Sequence, residues 1–534
     1  MRLISGSILK SEDVVIEWSN RSGHSLSDSR RMTSLAISFL FCALTGCCFL
    51  LASEQTAHWF LIPVLCCGIV IGCDAVDWFR GRLSLFDPAG IIGLLGVHFF
   101  FLAPLLHVTW DSWMRYIDPP LDWRDWLGGM ASLNAAGLVL YRCARTRAAV
   151  WGRHTTKETF WQSNRKLLLW GAGCGLILSG ALQIWIYAQQ GGIIGYIDTF
   201  TQAVHDPELY SGFKGMGWIF MVSESFPILG MVYFAVYSGG SKTATTWLVI
   251  SLVLLGFFVL QMLFGGLRGS RSNTIWALFW AAGIIHFWFR PLNRTFVFVG
   301  ICFLVVFMYI YGFYKDLGKD AWSGFQAGAI PAEASIKKGR TLEVLLLEDL
   351  GRADVQAFLL YRLSRPDRDY QYAWGRTYLA SAALLIPRAF WPDRPSGKTK
   401  AGTEAQYGNG SWDENKWSSS LVYGLAGETM LNFGPIAVPF AYLIFGVIVG
   451  RLQHFFSKLR RWDTRLLLYP FLVSLCFSFL QSDSDNLLFI FIKNGLVPIF
   501  VIWFGSCVWV DSPVAGSSFH TSMILPKARP QEPR

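Results

Sequence analysis

The apolar residues of this chain are gathered into blocks of about 20 residues, a feature that constrains the fold more than any other. A helix rises about 1.5 Å per residue, so such a block crosses the roughly 30 Å of hydrocarbon in a bilayer. Only 15% of the 534 residues are charged, against about 25% in ordinary soluble domains. The pattern therefore predicts an all-α, polytopic integral membrane protein.

The blocks predict about twelve spans, at 33–52, 58–73, 89–109, 126–142, 166–189, 214–237, 245–265, 274–289, 295–314, 419–450, 466–481 and 486–510. Because 419–450 is too long for one plain span, we expect a short half-helix before the true span. The predicted parts are a tail (1–32), nine spans (33–314), a long hydrophilic loop (315–418), three spans (419–510) and a second tail (511–534).

The distribution of basic residues predicts the orientation. With the N-terminus inside, the loops on that side hold 25 Lys and Arg residues, whereas the short loops on the opposite side hold 5. Positive residues in short loops favour the cytoplasm, so both termini are predicted to be cytoplasmic and the long loop extracytoplasmic. The net charge of +10 follows from these juxtamembrane residues, and it indicates membrane lipids rather than nucleic acid as a partner.

The long loop contains many aromatic residues, which favours an ordered structure. Its tryptophans and tyrosines suit stacking on sugar rings, and they equally suit an aromatic belt at the membrane interface. An apolar run at 378–387 is predicted to dip into the membrane.

A turn rich in glycine and serine, Gly265–Asn273, separates two predicted spans on the outer face. Arg268 and Arg271, with Ser270 between them, could converge with backbone N–H groups at the start of the next helix. Guanidinium groups bind phosphate oxygens in pairs of hydrogen bonds, so the turn is a candidate anion site. The alternative is an interfacial anchor without a ligand.

A second basic segment lies late in the long loop, where prolines stiffen the chain around Arg388, Arg394 and Lys398. Beyond it, Glu428 and Asn432 are four residues apart and so share one helix face. Glu428 could act as an acid or base on a sugar hydroxyl, or it could pair with Arg388 or Arg394.

Three further ionisable residues are candidates. Glu224 and Lys493 lie inside predicted spans, where an unpaired charge costs at least about 2.5 kcal/mol. They are expected either to form a structural ion pair or to line a substrate cavity. His205, in an outer loop, could serve as a base or could simply be solvated.

These stretches resemble the Wzy-type polymerases of O-antigen and oligosaccharide repeat units. The resemblance rests on the many spans, the Arg-Gly-Ser-Arg turn, the Ile-Pro-Arg and Trp-Pro-Asp-Arg-Pro segment, and the Gly-Glu-Thr-Met-Leu-Asn-Phe-Gly run, and it covers most of 190–510. It implies a GT-C-like membrane glycosyltransferase in the bacterial cytoplasmic membrane. Such enzymes polymerise undecaprenyl-pyrophosphate-linked repeat units on the outer face, beside a repeat-unit flippase and a chain-length regulator.

The resemblance assigns roles to the candidate residues. Glu428, Arg388 and Arg271 become catalytic candidates, and the substrate-binding candidates are Arg268, Arg271, Ser270, Arg394, Lys398, Asn432, Glu224 and His205. Arginines can stabilise a pyrophosphate leaving group, so no metal or other cofactor is expected. An O-antigen ligase, a transporter or flippase of lipid-linked sugars, and a membrane scaffold remain alternatives.

The charge distribution makes a topological prediction. Epitope tags inserted near residue 270 or within 315–418 should be accessible from outside intact cells, because these segments lie on the side whose short loops hold few basic residues, and long loops translocate largely regardless of charge. Tags near residue 155 or 458 should be accessible only after the membrane is permeabilised. Protection of a tag near residue 400 in intact cells would contradict the predicted orientation.

Overall fold

The computed structural model describes residues 28–114, 117–151, 159–205, 217–268, 271–317, 342–366, 369–386, 390–413 and 421–510. Within these residues the chain is almost entirely helical, with one two-stranded sheet. Nine of the described helices are long and apolar enough to cross a membrane. The prediction of an all-α membrane protein is therefore confirmed.

The helices before the long loop are α1 (Asp28–Ala52), α2 (Leu61–Phe79), α3 (Pro88–Thr109), α4 (Trp123–Val150), α5 (Arg165–Gln189), α6 (Gly192–His205), α7 (Gly217–Ser223), α8 (Phe226–Ser238), α9 (Trp247–Phe264), α10 (Arg271–Ile284) and α11 (Arg294–Leu317). A π-helical turn interrupts α3 at His98–Leu102, and another follows α10 at Ile285–Phe289. Together α7 and α8 make one candidate span, Gly217–Ser238.

The later helices are α12 (Ala353–Ser364), α13 (Arg376–Ala383), α14 (Lys398–Tyr407), α15 (Gly424–Phe433), α16 (Val438–Ser457), α17 (Tyr469–Gln481) and α18 (Ser484–Phe504). A short turn at Leu342–Val344 and a π-helical turn at Leu345–Asp349 precede α12, and α18 contains a π-helical turn at Phe491–Gly495. The remaining helical turns are 3-10: Glu54–Thr56, Thr243–Thr245, Gly266–Arg268, Pro435–Ala437 and Thr464–Leu467. The half-helix expected before the tenth span is confirmed as α15.

Several predicted spans end at other residues than expected: α4 continues to Val150 instead of ending at 142, and α16 continues to Ser457 instead of ending at 450. The second was predicted to stop at 73, but α2 continues to Phe79 because its acidic residues find partners. Asp74 accepts two hydrogen bonds from Arg145, at 2.6 and 2.9 Å, and Asp77 pairs with Arg82 at 3.0 Å. The last was predicted to reach 510, but its helix ends at Phe504.

The two halves of the chain are joined by a close helix pair, α4 and α16. Glycines allow the contact: a Cβ on Gly446 would lie 2.4 Å from the Tyr141 carbonyl oxygen, and one on Gly450 would lie 2.4 Å from that of Arg145. Small residues are typical of such tight packing between membrane helices. The Tyr442 hydroxyl also donates a hydrogen bond to Asn134, at 3.0 Å.

A two-stranded antiparallel sheet joins the start of α5 to the end of α18. Strand β1 (Thr159–Ser163) pairs with β2 (Ser506–Val510). The loop before α17 meets the same sheet, since Thr464 donates a hydrogen bond to the Trp161 carbonyl at 3.3 Å. All three segments therefore lie on one face of the bundle. Ser484, at the other end of α18, lies on the opposite face, about 30 Å away along a helix of this length.

The register of the sheet can be tested by cross-linking. Gln162 lies directly opposite Cys507. Directly paired residues in an antiparallel sheet have Cα atoms about 4.5–5.5 Å apart, which suits a disulfide. Gln162→Cys should therefore cross-link to Cys507 when isolated membranes are mildly oxidised. A protease site inserted at the Gly408–Gly410 turn allows the cross-link to be detected, because the cut fragments stay joined on a non-reducing gel.

Two controls accompany this experiment. Trp161→Cys should cross-link poorly to Cys507, because Trp161 is paired with Val508 and adjacent strand residues point to opposite faces. Adding Cys507→Ser to the first variant should abolish the cross-link. An equally strong cross-link from position 161 would show that the register is wrong.

Candidate functional site

Helix α15 carries the predicted pair Glu428 and Asn432, and both side chains are buried. The Asn432 amide donates hydrogen bonds to the Thr377 hydroxyl, at 2.7 Å, and to the Glu428 carbonyl, at 2.8 Å. Its oxygen accepts the N–H of Gly375, at 2.9 Å. Asn432 thereby fixes the segment that leads into α13 against α15.

The Glu428 carboxylate is held by hydroxyl and backbone donors. Thr377 donates to Oε1 at 2.7 Å, and the Ser484 hydroxyl donates to the same oxygen at 2.6 Å. The Ser484 N–H donates to Oε2 at 2.6 Å. Because Ser484 is the first residue of α18, Glu428 stabilises the start of that helix as an acidic residue does at a helix N-terminus.

Asp483, just before α18, binds the start of α15 as Glu428 of α15 binds the start of α18. Its Oδ1 accepts the N–H groups of Tyr423 and Gly424, both at 2.9 Å, where α15 begins. Its Oδ2 forms a buried ion pair with Lys398, the first residue of α14. The helix starts of α14, α15 and α18 therefore meet around two carboxylates, Asp483 and Glu428.

Glu428 lies in an environment that favours its protonated form. Burial, and to a lesser extent the nearby Asp483 carboxylate, raise the pKa of the Glu428 carboxyl to about 7. The hydrogen bonds from Ser484 and Thr377 stabilise the ionised form and oppose this change. A carboxyl with a pKa of about 7 can accept a proton from a substrate and release it again near neutral pH.

The other predicted residues fall into three groups. Lys398 belongs to the Glu428 cluster through Asp483, and Arg394 is half-buried in the segment that leads to Lys398. Arg268 ends a 3-10 turn, Arg271 begins α10 and His205 ends α6, but their side chains lie outside the described residues. Ser270 and Arg388 lie outside them entirely.

Glu224 lies in a separate polar region inside the bundle. Its Oε2 is 2.6 Å from Lys493 Nζ, and both side chains are only 2% exposed. The ion pair considered from the sequence is therefore present. Glu224 lies in the break between α7 and α8, and Lys493 lies in the π-helical turn of α18. Lys493 is nine positions after Ser484 in α18, so this pair lies about 14 Å from the Glu428 cluster along the helix.

The turn that leads to Arg271 is attached to the bundle by tyrosines. Tyr187 donates its hydroxyl to the carbonyl of Leu263, and Tyr311 donates to that of Gly266. Tyr314 donates to the carbonyl of Leu267, at 3.1 Å. These hydrogen bonds fix the path of the backbone up to the predicted anion site.

Sequence reasoning missed Thr377, Asp483 and Ser484. A signal was present for two of them, since Ser482, Asp483 and Ser484 form a polar run between two apolar blocks. Such residues favour the start of a helix, where they bind free N–H groups. Thr377 carries no comparable signal, because it stands in an ordinary helical sequence.

Comparison with known proteins yields no match: no family model, no curated protein and no solved structure matches this chain. Among the described residues, no group of three or more His, Cys, Asp or Glu side chains is arranged to hold a metal ion. The chemistry of the site is therefore inferred from Glu428 and its neighbours.

The raised pKa predicts how stability depends on pH. Between the ordinary pKa of 4.5 and about 7, Glu428 is protonated in the folded protein and ionised in the unfolded chain. The folded state binds more protons in this range, so the contribution of Glu428 to stability falls as pH rises. The melting temperature of purified protein should therefore fall less between pH 5 and pH 8 in Glu428→Gln than in the wild type.

The matched control is Glu54→Gln, which removes an exposed carboxylate and should leave the pH profile unchanged. Parallel profiles for Glu428→Gln and the wild type would show that Glu428 titrates normally in the folded state.

Proposed function

We propose that this protein is a membrane glycosyltransferase that polymerises undecaprenyl-pyrophosphate-linked oligosaccharide repeat units. The observation that carries the proposal is the buried Glu428 carboxyl, whose pKa is raised to about 7. It lies at the end of α18 opposite the two-stranded sheet. A group able to exchange protons near neutral pH at the membrane boundary suits proton transfer from a sugar hydroxyl.

The proposed topology has twelve crossings. Three helical segments outside the nine candidate spans, α4, α10 with its π-helical turn, and α17, pack alongside them. Helices α10 and α17 run antiparallel, because Trp276 lies near Phe477 and Trp280 near Phe471. If all three cross, the sheet is cytoplasmic, as are both termini, and the Glu428 cluster faces outside. The bias of basic residues and the shared face of the sheet support this GT-C-like arrangement in the bacterial cytoplasmic membrane.

The proposed reaction needs a base, an acceptor and a charged leaving group. Glu428 accepts the proton of the acceptor hydroxyl, whose oxygen attacks the anomeric carbon of the donor sugar. The bond between that carbon and the pyrophosphate oxygen breaks, and the lipid pyrophosphate leaves with the electron pair. Guanidinium groups of the outer face, from Arg268, Arg271, Arg388 and Arg394, are the candidates that stabilise its charge.

Two other functions use the same features. An O-antigen ligase would carry out the same chemistry with a lipid acceptor. A transporter of lipid-linked sugars is favoured by one observation, the Glu224–Lys493 pair at a break in one helix and a π-helical turn in another. Charges at broken membrane helices are common in transporters. The sheet that joins the segment before α5 to the end of α18 favours the enzyme, since alternating access would have to move or break this link.

The deciding experiment measures both the amount and length of the polymer and the membrane leaflet in which single lipid-linked units accumulate. Glu428→Gln keeps the shape of the side chain but cannot accept the proton, so it should abolish polymer while single lipid-linked units remain in the outer leaflet. Glu54→Gln is the control with normal polymer length. In the wild type, the polymerisation rate should fall as pH drops below about 7, since protonated Glu428 cannot act as a base.

Each alternative has its own outcome. Units trapped in the inner leaflet of Glu428→Gln cells would indicate a transporter, and normal polymer would exclude a catalytic role for Glu428. Purified protein supplied only with lipid-linked repeat units separates polymerase from ligase, because only a polymerase can use a second unit as acceptor.

A further inference from the structure

Helix α13 has the opposite amphipathic pattern to a helix exposed to water. Its inward face carries Thr377 and Ser381, whose hydroxyls bind Glu428 and Ser484, respectively. Its outward face carries Leu379, which is 54% exposed, and continues after the helix to Ile386. Leu384 and Leu385, in the turn between them, are also exposed, so the apolar surface extends from the helix into the residues that follow it. Polar groups point inward and apolar groups outward, which is the pattern expected when the surroundings are hydrocarbon.

The outward face of α13 is continuous with the surface of a candidate span. Tyr378 stacks on Phe433, and Trp374 contacts the same ring edge-on, with ring centroids 6.4 and 6.3 Å apart, respectively. Phe433 ends α15, and the span Pro435–Ser457 follows directly with Ile436 81% exposed. An apolar surface that continues from a spanning helix onto α13 places this helix in the outer membrane interface, among lipid chains.

Arg376, the first residue of α13, supplies a cation at the edge of this surface. Its Nε is buried without a hydrogen-bond acceptor, and within the described residues its guanidinium forms no ion pair. A buried guanidinium N–H without an acceptor is unfavourable, so the position favours binding of an anion. Arg376 is also adjacent to Thr377, which donates a hydrogen bond to Glu428.

We propose that α13 binds an isoprenoid pyrophosphate lipid of the membrane. Arg376 binds the pyrophosphate, and Leu379 and Ile386 contact the hydrocarbon chain. This inference rests on the proposed function and deepens it, because it brings the lipid-linked phosphate next to the partner of Glu428. Guanidinium forms paired hydrogen bonds with phosphate oxygens, and the exposed side chains of Leu379 and Ile386 offer van der Waals contacts to an isoprenoid chain within the membrane. A free anion would account for the buried N–H of Arg376 but not for the exposed apolar side chains. A hydrocarbon chain alone would account for the apolar side chains but not for the N–H.

The test is equilibrium binding of radiolabelled farnesyl pyrophosphate to the purified full-length protein in phosphatidylcholine nanodiscs. Arg376→Gln should weaken binding about tenfold or more, and Arg376→Lys should restore part of it, because lysine keeps the charge without the planar fork. The matched control is Arg365→Gln, which removes a loop arginine that stacks on Tyr361, and it should bind normally. Unchanged binding by Arg376→Gln would overturn the proposal.

The contribution of the hydrocarbon chain is tested separately. Leu379→Ala with Ile386→Ala should weaken farnesyl pyrophosphate binding and leave competition by inorganic pyrophosphate unchanged. The control is Leu252→Ala with Leu255→Ala, which truncates exposed side chains on α9. If inorganic pyrophosphate competes as strongly as farnesyl pyrophosphate, the site binds a free anion and the lipid assignment is wrong. If farnesol competes equally, Arg376 has no role and the proposal also fails.

These outcomes can be told apart from failure of the proposed function. Glu428→Gln should still bind farnesyl pyrophosphate, because Glu428 is assigned to proton transfer and not to the pyrophosphate. Normal polymer from Glu428→Gln would therefore overturn the proposed mechanism without affecting the lipid site. Normal binding by Arg376→Gln would overturn the lipid site without affecting the role of Glu428.

Discussion

The reciprocal capping of two helix starts by Asp483 and Glu428 organises one face of this protein. Asp483, just before α18, accepts two N–H groups at the start of α15, and Glu428, within α15, accepts the N–H at the start of α18. The first N–H groups of a helix have no partner within that helix, and leaving them unpaired near the membrane would be costly. Each carboxylate satisfies the start of the other helix, so removing either one would leave N–H groups at one helix start without an acceptor.

The same arrangement allows a structural contact to coincide with the proposed proton transfer. Burial and, to a lesser extent, the nearby Asp483 carboxylate raise the pKa of Glu428, whereas Lys398 holds Asp483 in an ion pair. Glu428 therefore has a pKa of about 7, whereas Asp483 stays in an ion pair. Such a difference between neighbouring carboxylates suits them to different roles. Thr377 and Ser381 then connect the cluster to α13, whose other face is apolar.

Much of the fold could be predicted from the sequence because membrane helices are specified locally. A block of apolar residues must satisfy its own backbone hydrogen bonds, so its length nearly determines a helix. The half-helix before Pro435 was predicted for this reason. The end of α2 was predicted too early because Asp74 and Asp77 indicate a boundary until Arg145 and Arg82 are seen to pair with them. Charge alone does not reveal such a partner.

The sequence by itself determined the membrane class, the approximate spans, and the placing of Glu428 and Asn432 on one helix face, because each depends on residues within one helix. Only the tertiary structure decided which polar groups meet. Glu224 pairs with Lys493 across the bundle, and Glu428 binds Thr377 and Ser484, each more than 50 residues away. Such contacts arise when helices pack, and local sequence carries no record of a partner that distant.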